Sequence, residues 1–475
     1  MTEQGTITAG TSTSADQFVA AFEQFESRVA GSPSWLTPVR KAAIARLNEL
    51  GFPNTKHEDW RSTNLAPLTR TTFVQATPSA DRPSIDDLQP HLFADAGWSR
   101  LVFVNGGFDP ELSDVGSLPE GVVVGSIAEI MARDPSALEP YLTRYAADKK
   151  APFVALNTAF LEDGACVIIP PNTVIEKPIH VLYVSMAGSD PIVVHPRTLF
   201  VLGESSEATL IENYAGVNEG VYFNNPVTEM IVGPNAKVDH YRVQRESEKA
   251  FHIGWLQANL GRDSRFNSHA LAMGGGFLRN NVHAMLGGEG CDCTLNGLYV
   301  THGEQHVDNH LRVEHAKPHC NSWEFYKGIL DGHSSAVFTG RIYVHEDATK
   351  TDAKQSNMNL LLSDYAQIDT KPQLEIFTSD VRCTHGATIG QIDEKAMFYL
   401  QCRGVPQDAA RSMLTYAFAG ESLGQIQVEA LRNEMQKVLL QRLPHGEMLQ
   451  AGSPLFYGSK FSEHIKATDR RRESY

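Results

Sequence analysis

Two periodicities divide this chain. From Ala15 to Val29, Phe18, Phe22 and Phe25 recur at helical spacing, and Asp16 is placed to cap the first turn. A second helix is predicted over Pro38–Leu50. Pro38 suits a first turn, Gly51 stands just past the end, and Ala42, Ile44 and Leu47 give one apolar side. Arg100–Val104 reads as a strand closed by an Asn-Gly turn, and Ala128–Tyr145 returns to helical spacing. Residues 15–150 are therefore expected to form a mixed, mainly helical region. Residues 1–14, polar and rich in Ser and Thr, read as a disordered tail.

From about Phe153 the helical period gives way to short β-branched or alternating runs. ACVIIP, TLFVL, KVDHYRVQ and SAVFTGRIYV are examples, each bounded by Gly, Asn, Asp, Ser or Pro. Turn signals near Ser206, Asn235, Arg262, Glu289 and Pro318 recur roughly every 28 residues, a period that signals stacked repeats. Strands without intervening helices exclude a doubly wound sheet. They suit a parallel β-helix, a β-solenoid, over 151–392, with a β-sandwich as the other reading of the same spacing.

Helical spacing returns in 393–475. A short helix is predicted at Glu394–Leu400. Gly404 then breaks the chain and Pro406 opens a helix carrying Ala410, Leu414 and Phe418 at i, i+4 and i+8. A last helix over Leu423–Gln441 lines up Val428, Leu431, Met435 and Val438. These helices are expected either to plug the open end of the β-helix or to offer Ala410, Leu414 and Phe418 to a partner.

Composition removes several classes of function. A net charge of −15 argues against a nucleic-acid binder, and no stretch approaches the roughly 18 apolar residues of a membrane span. Six scattered cysteines do not make a secreted disulfide framework, and the start of the chain lacks a signal-peptide pattern, so a cytoplasmic, reducing location is expected. There is no Walker A loop. Gly274–Gly276 reads as a tight turn between coils. The seven histidines between His302 and His345 match no standard ligand spacing, and are expected to hydrogen-bond within their own coils. His57-Glu58-Asp59-Trp60 reads as an exposed polar turn anchored by its Trp.

One stretch combines soft ligands. In TSDVRCTHGATIG, Thr378–Gly390, Cys383 and His385 stand two apart, and on a strand they share a face. Thiolate and imidazole together suit iron or an iron–sulfur cluster.

The segments YKGILDG, KTDAKQSNMNLLLSD, DTKPQLEIF and CTHGATIG are long and specific, and an N-terminal Lys-His-Glu-Asp-Trp adds to them. On these the chain resembles the SufB/SufD family of Suf iron–sulfur cluster assembly proteins, most closely over Val307–Glu421 and on the SufD side. The resemblance implies the β-helix. It also implies a subunit without catalytic activity of its own, pairing with SufB as a heterodimer, or as a homodimer when alone. The ATPase SufC would dock on the C-terminal helices. Iron or a nascent cluster would be held transiently at the SufB interface, where the residue matching His385 matters more than that matching Cys383. A self-contained SufB-like scaffold would want more thiolates. A carbohydrate-acting β-helix enzyme would want paired carboxylates, and no such pair stands out in the strand region.

Overall fold

The computed structural model describes residues 15–76, 82–93, 97–146 and 149–449. The tail expected at 1–14, and the C-terminal region beyond 449, lie outside the described residues.

Two long sheets form the body. One runs through Arg197–Leu202, Val227–Val232, Phe251–Leu260, Phe277–Leu286, His306–His315, Ser335–Val344 and Gln367–Ile376. The other runs through Ile179–Ser185, Glu207–Gly216, Lys237–Arg245, Arg265–Ala272, Asp292–Thr301, Asn321–Leu330, Thr351–Leu361 and Val381–Gly390. Every one of these neighbours pairs in parallel. Lys237 stands against Arg265, Arg265 against Asp292 and Asp292 against Asn321, offsets of 28, 27 and 29 residues. A sandwich would need antiparallel strands, so the parallel register decides for the β-solenoid. Its interior is filled by alternate residues of both sheets, among them Phe200, Phe266, Leu295, Tyr299 and Phe338.

The period has a conformational cause at one corner of the coil. Asn172, Ser205, Asn235, Asp263, Gly290, His319 and Lys350 all adopt left-handed backbone, with φ between 54° and 73°. Asn, Asp and Gly reach that region at least cost. Each corner N–H donates to a carbonyl of the following coil, at Glu204, Pro234, Arg262, Glu289, Pro318, Thr349 and Asp380 respectively, over 2.7–3.2 Å. Except at the last corner, the acceptor is the residue just before the next left-handed one. One recurring turn residue thus satisfies a backbone group across the coils, which strand ladders alone would leave open.

The N-terminal region is wrapped on this body. Helices α1 (Asp16–Arg28), α2 (Leu36–Leu50), α3 (Ala66–Arg70), α4 (Ile85–Leu88), α5 (Ile127–Arg133) and α6 (Pro152–Ala159) belong to it. Phe18, Phe22 and Phe25 are buried as the spacing predicts, but the N-cap of α1 is Ala15, and Asp16 lies inside the first turn. In α2 the buried row is Leu36, Arg40, Ala43 and Leu47, displaced by one residue from the predicted Ala42. Arg40 is there because its Nε and Nη2 donate to Leu161 O at 3.0 and 2.5 Å. The helix predicted over Ala128–Tyr145 stops at Arg133. Pro135 forces its predecessor Asp134 out of helical geometry, to φ −148°, ψ 83°.

Phe153 opens no strand. It lies in α6, and strands resume at Ala165. Conversely Ser99–Val104, from the N-terminal region, pairs in parallel with Ile179–Ser185 and extends the second sheet.

Helices α7 (Glu394–Gln401), α8 (Gln407–Leu423) and α9 (Glu429–Arg442) follow the last strand. They do not plug the end of the solenoid. Ala419 and Leu423 of α8, Ile426 of the linker, and Leu431, Met435 and Leu439 of α9 cover the outer face of the second sheet at Tyr241, Val243, Leu271, Leu298 and Ile329. No helix among the described residues is long and apolar enough to cross a membrane.

Candidate functional site

Among the described residues no further strand pairs with Gln367–Ile376 or Val381–Gly390, and the inner face of this last coil is open. Along Thr351–Leu361 the alternate residues Thr351, Ala353, Gln355, Asn357 and Asn359 point into the solenoid and are buried. The last strand is in register above them, with Cys383 over Ala353, His385 over Gln355 and Ile389 over Asn359. Cys383 and His385 therefore share the inward face, but among the described residues no further coil covers that face.

Cys383 is half-buried and packs with Ile342, Val344, Ala348, Ala353 and Leu374. Burial, reinforced by the Asp352 carboxylate, raises its thiol above the ordinary range, so an approaching metal must displace a proton from it. His385 is exposed at the mouth.

Beneath His385 the register continues downward through Gln355 to Glu324. Gln355 Nε2 donates to Glu324 Oε2 at 2.5 Å, and both side chains are buried. Gly340 leaves room for this pair, since a Cβ on it would sit 1.9 Å from Gln355 Nε2. Burial pushes the Glu324 carboxyl up to about 7, against the opposing hydrogen bond from Gln355. Neither residue was singled out by sequence reasoning. The only available signal was a glutamate at a buried register position, two residues before Tyr326.

The raised carboxyl has a definite sign. Below the ordinary value of about 4.5, folded and unfolded chains both hold the proton; between there and about 7 only the folded chain does. Stability therefore falls across that window, by about 3 kcal/mol, and the full loss is present above it. Glu324→Gln is expected to recover most of that at pH 8 and almost none at pH 4.5. Urea midpoints at the two pH values read this difference, and equal gains at both would refute it.

Two ligand atoms do not complete a site. A cluster takes about four, and among the described residues no group of three or more His, Cys, Asp and Glu could hold a metal ion. Most of the histidines from 302 to 345 are engaged elsewhere. His306 Nδ1 stands 2.8 Å from Ser335 Oγ of the next coil, His345 pairs with Glu314 of the preceding one, and His319 is a corner residue. Several of these bonds cross between coils, where bonds within one coil were expected. Trp60 anchors its turn, with the Arg279 guanidinium 3.8 Å over its ring.

Large exposed apolar side chains gather at the same end. Of eleven among the described residues, Tyr365, Ile376, Phe377, Ile389, Phe398 and Tyr399 lie between positions 365 and 399. An open sheet end lined with such residues is a candidate docking surface, because left bare it would template aggregation. The stripe on α8 is arranged differently from its expectation. Ala410 is fully buried, while Leu414 and Phe418 are half-buried. The Phe418 ring holds the Lys327 ammonium 4.4 Å from its centroid.

Comparison with known proteins bears on the whole chain. The SufBD core domain of the Suf system for iron–sulfur cluster assembly matches residues 184–418, and the SufBD N-terminal region matches residues 12–181. An iron–sulfur cluster assembly SufBD family protein of Synechocystis is 35% identical over 414 residues, covering 85% of this chain and 90% of that protein. The iron–sulfur cluster assembly protein SufD of Escherichia coli is 31% identical over 417 residues, 86% and 94% of the two chains. SufD of Bacillus subtilis is 25% identical over 447 residues, 91% and 99% of the two chains.

Proposed function

This chain belongs to the SufB/SufD family of iron–sulfur cluster assembly proteins, and from that premise we propose that it works as a SufD-type subunit, contributing His385 and Cys383 to a site completed by SufB. The observation that carries this reading is the uncovered last coil. It presents two soft ligands on its inner face and is ringed by exposed Ile376, Phe377 and Ile389. A second solenoid docked there would cover the apolar residues and bring the missing ligands. Iron or a nascent cluster is then the cargo of the interface, held transiently. A SufB-like scaffold acting alone fits less well, because four of the six cysteines are buried away from this end.

SufC, in this reading, supplies the ATPase activity and docks on the C-terminal helices, where Leu414 and Phe418 remain partly accessible. Leu414→Asp is the suitable probe. Removing α8 and α9 altogether would strip the cover from Leu271, Leu298 and Ile329 and damage the solenoid itself.

The reading is tested by co-expression with SufB and SufC. The double substitution Phe377→Glu and Ile389→Glu places two charges on the docking end. It is expected to lower SufB recovery at least tenfold while SufC still co-purifies. Undiminished SufB recovery would put the SufB contact elsewhere. If the isolated chain is a dimer that the same substitutions convert to monomer, the open end also serves self-association.

A further inference from the structure

Two thiols outside this site stand in contact. Cys291 and Cys320 immediately precede the strands Asp292–Thr301 and Asn321–Leu330. Asp292 pairs with Asn321 in parallel, and Asn321 N–H donates to Cys291 O at 2.8 Å. The cysteines are thus stacked one coil apart, at the strand spacing of about 4.8 Å. That separation falls within the range of about 4.4–6.8 Å that disulfides span between Cα atoms.

Both side chains turn inward and are fully buried, and each Sγ lies 3.2 Å from one shared acceptor, Gly288 O. The neighbouring Cys320 thiol, with help from Ser264, pulls the Cys291 thiol down, while the same contact and burial push Cys320 up. One sulfur is therefore the readier thiolate and the other keeps its proton, the asymmetry of an attacking and a resolving thiol.

No other cysteine has a thiol across from it. Cys293 stands between Phe266 and Ser322, Cys166 beside Leu199, and Cys383 beside Ala353. The Gly287–Gly290 corner above the pair is partly exposed, so the sulfurs lie one loop beneath solvent.

We propose that Cys291 and Cys320 form an oxidation site that closes into a coil-to-coil disulfide when the chain meets a peroxide. The Cys291 thiolate takes an oxygen from hydrogen peroxide, giving a sulfenic acid and, with the released proton, one water. The Cys320 sulfur then attacks the sulfenic sulfur; the S–S bond forms, and the hydroxyl leaves with the Cys320 proton as a second water. Two thiols are oxidised, one peroxide is reduced, and a dithiol reductant reverses the change. Compartments that keep thiols reduced use disulfides chiefly in this transient way.

The test uses the full chain carrying Cys383→Ser and Cys402→Ser, which removes the two thiols nearest solvent and leaves four. After hydrogen peroxide and alkylation under denaturing conditions, two alkylatable thiols should remain, with the Cys291 and Cys320 peptides joined. Dithiothreitol should restore all four. With Cys320→Ser added, the linked peptide should vanish and dimedone should label Cys291. Four thiols surviving peroxide, or a link through Cys166 or Cys293, would overturn the proposal.

Discussion

Exchanging His385 for alanine should leave the chain folded and bound to SufB and SufC, yet lower the iron and acid-labile sulfide held by the reconstituted complex by about tenfold or more. Its ring is exposed and held by no hydrogen bond or ion pair among the described residues, so removing it should change stability by no more than about 0.5 kcal/mol. The expected effect on cargo is large because loss of an outer partner of a ligand already costs about 10–100-fold in metal affinity, and loss of the ligand itself costs no less. Cys383→Ala should do less to the cargo and more to the fold. Its thiol is half-buried among Ile342, Val344 and Leu374, and burial keeps it protonated. Iron and sulfide per complex, measured for both variants against the parent, decide the ranking. Unchanged cluster content with His385→Ala would make that histidine an ordinary strand residue.

The largest expected loss of stability lies far from this end, at Glu229. Glu229 and Arg197 are both fully buried, with Nη2 to Oε2 at 2.6 Å and Nε to Oε2 at 3.1 Å. The carboxylate also accepts backbone N–H groups of Thr143 at 2.7 Å, Tyr145 at 2.8 Å and Ala146 at 2.9 Å. Arg197 Nη1 reaches Asn157 and Thr158 on α6. One ion pair therefore fastens both the loop around Thr143 and helix α6 to the solenoid. Glu229→Ala leaves a guanidinium and three amides unpaired in a dry site, at a cost of about 5 kcal/mol. The chain should unfold at clearly lower urea concentration, and protease should cut first near 143–151. A small shift in midpoint, comparable to a surface substitution, would contradict this account.

How much of this the chain announces depends on the range of each interaction. The solenoid was legible because its corner recurs in sequence. The positions near Asn235, Arg262, Glu289 and Pro318 mark the turns themselves, one residue either way. The inward pairing of Cys383 with His385 needs only the two-residue period of one strand, and is equally local. What sits beneath them is not. Glu324, Gln355 and His385 meet because three coils stack, and no local pattern ties positions about 30 residues apart.

The C-terminal helices show the same limit. Their apolar stripes are visible in the sequence, but whether they cover an end or a side depends on the outer face of the second sheet, where Leu271, Leu298 and Ile329 are outward-facing apolar residues. The one-residue error at Ala42 arises because Arg40 is buried through hydrogen bonds to Leu161 O, which a hydrophobic pattern does not register. The early border at Phe153 has a related cause. Helix α6 is apolar on nearly every side, and a short fully buried helix resembles a buried strand in composition.

The corner ladder implies a graded response to solvent. Each left-handed N–H depends on the coil after it, so the order of the corners is also an order of shelter. The Lys350 amide rests on Asp380 of the uncovered coil, the His319 amide on Thr349, the Gly290 amide on Pro318, and so on inward. In a stack held only by nearest neighbours, opening begins at a free terminus and each further step costs one more interface. Deuterium uptake at these seven amides should therefore run as a staircase, fastest at Lys350 and slower at each corner inward. A partner seated on the last coil would flatten that staircase from its fast end, recording occupancy of the interface in amides that never touch the partner.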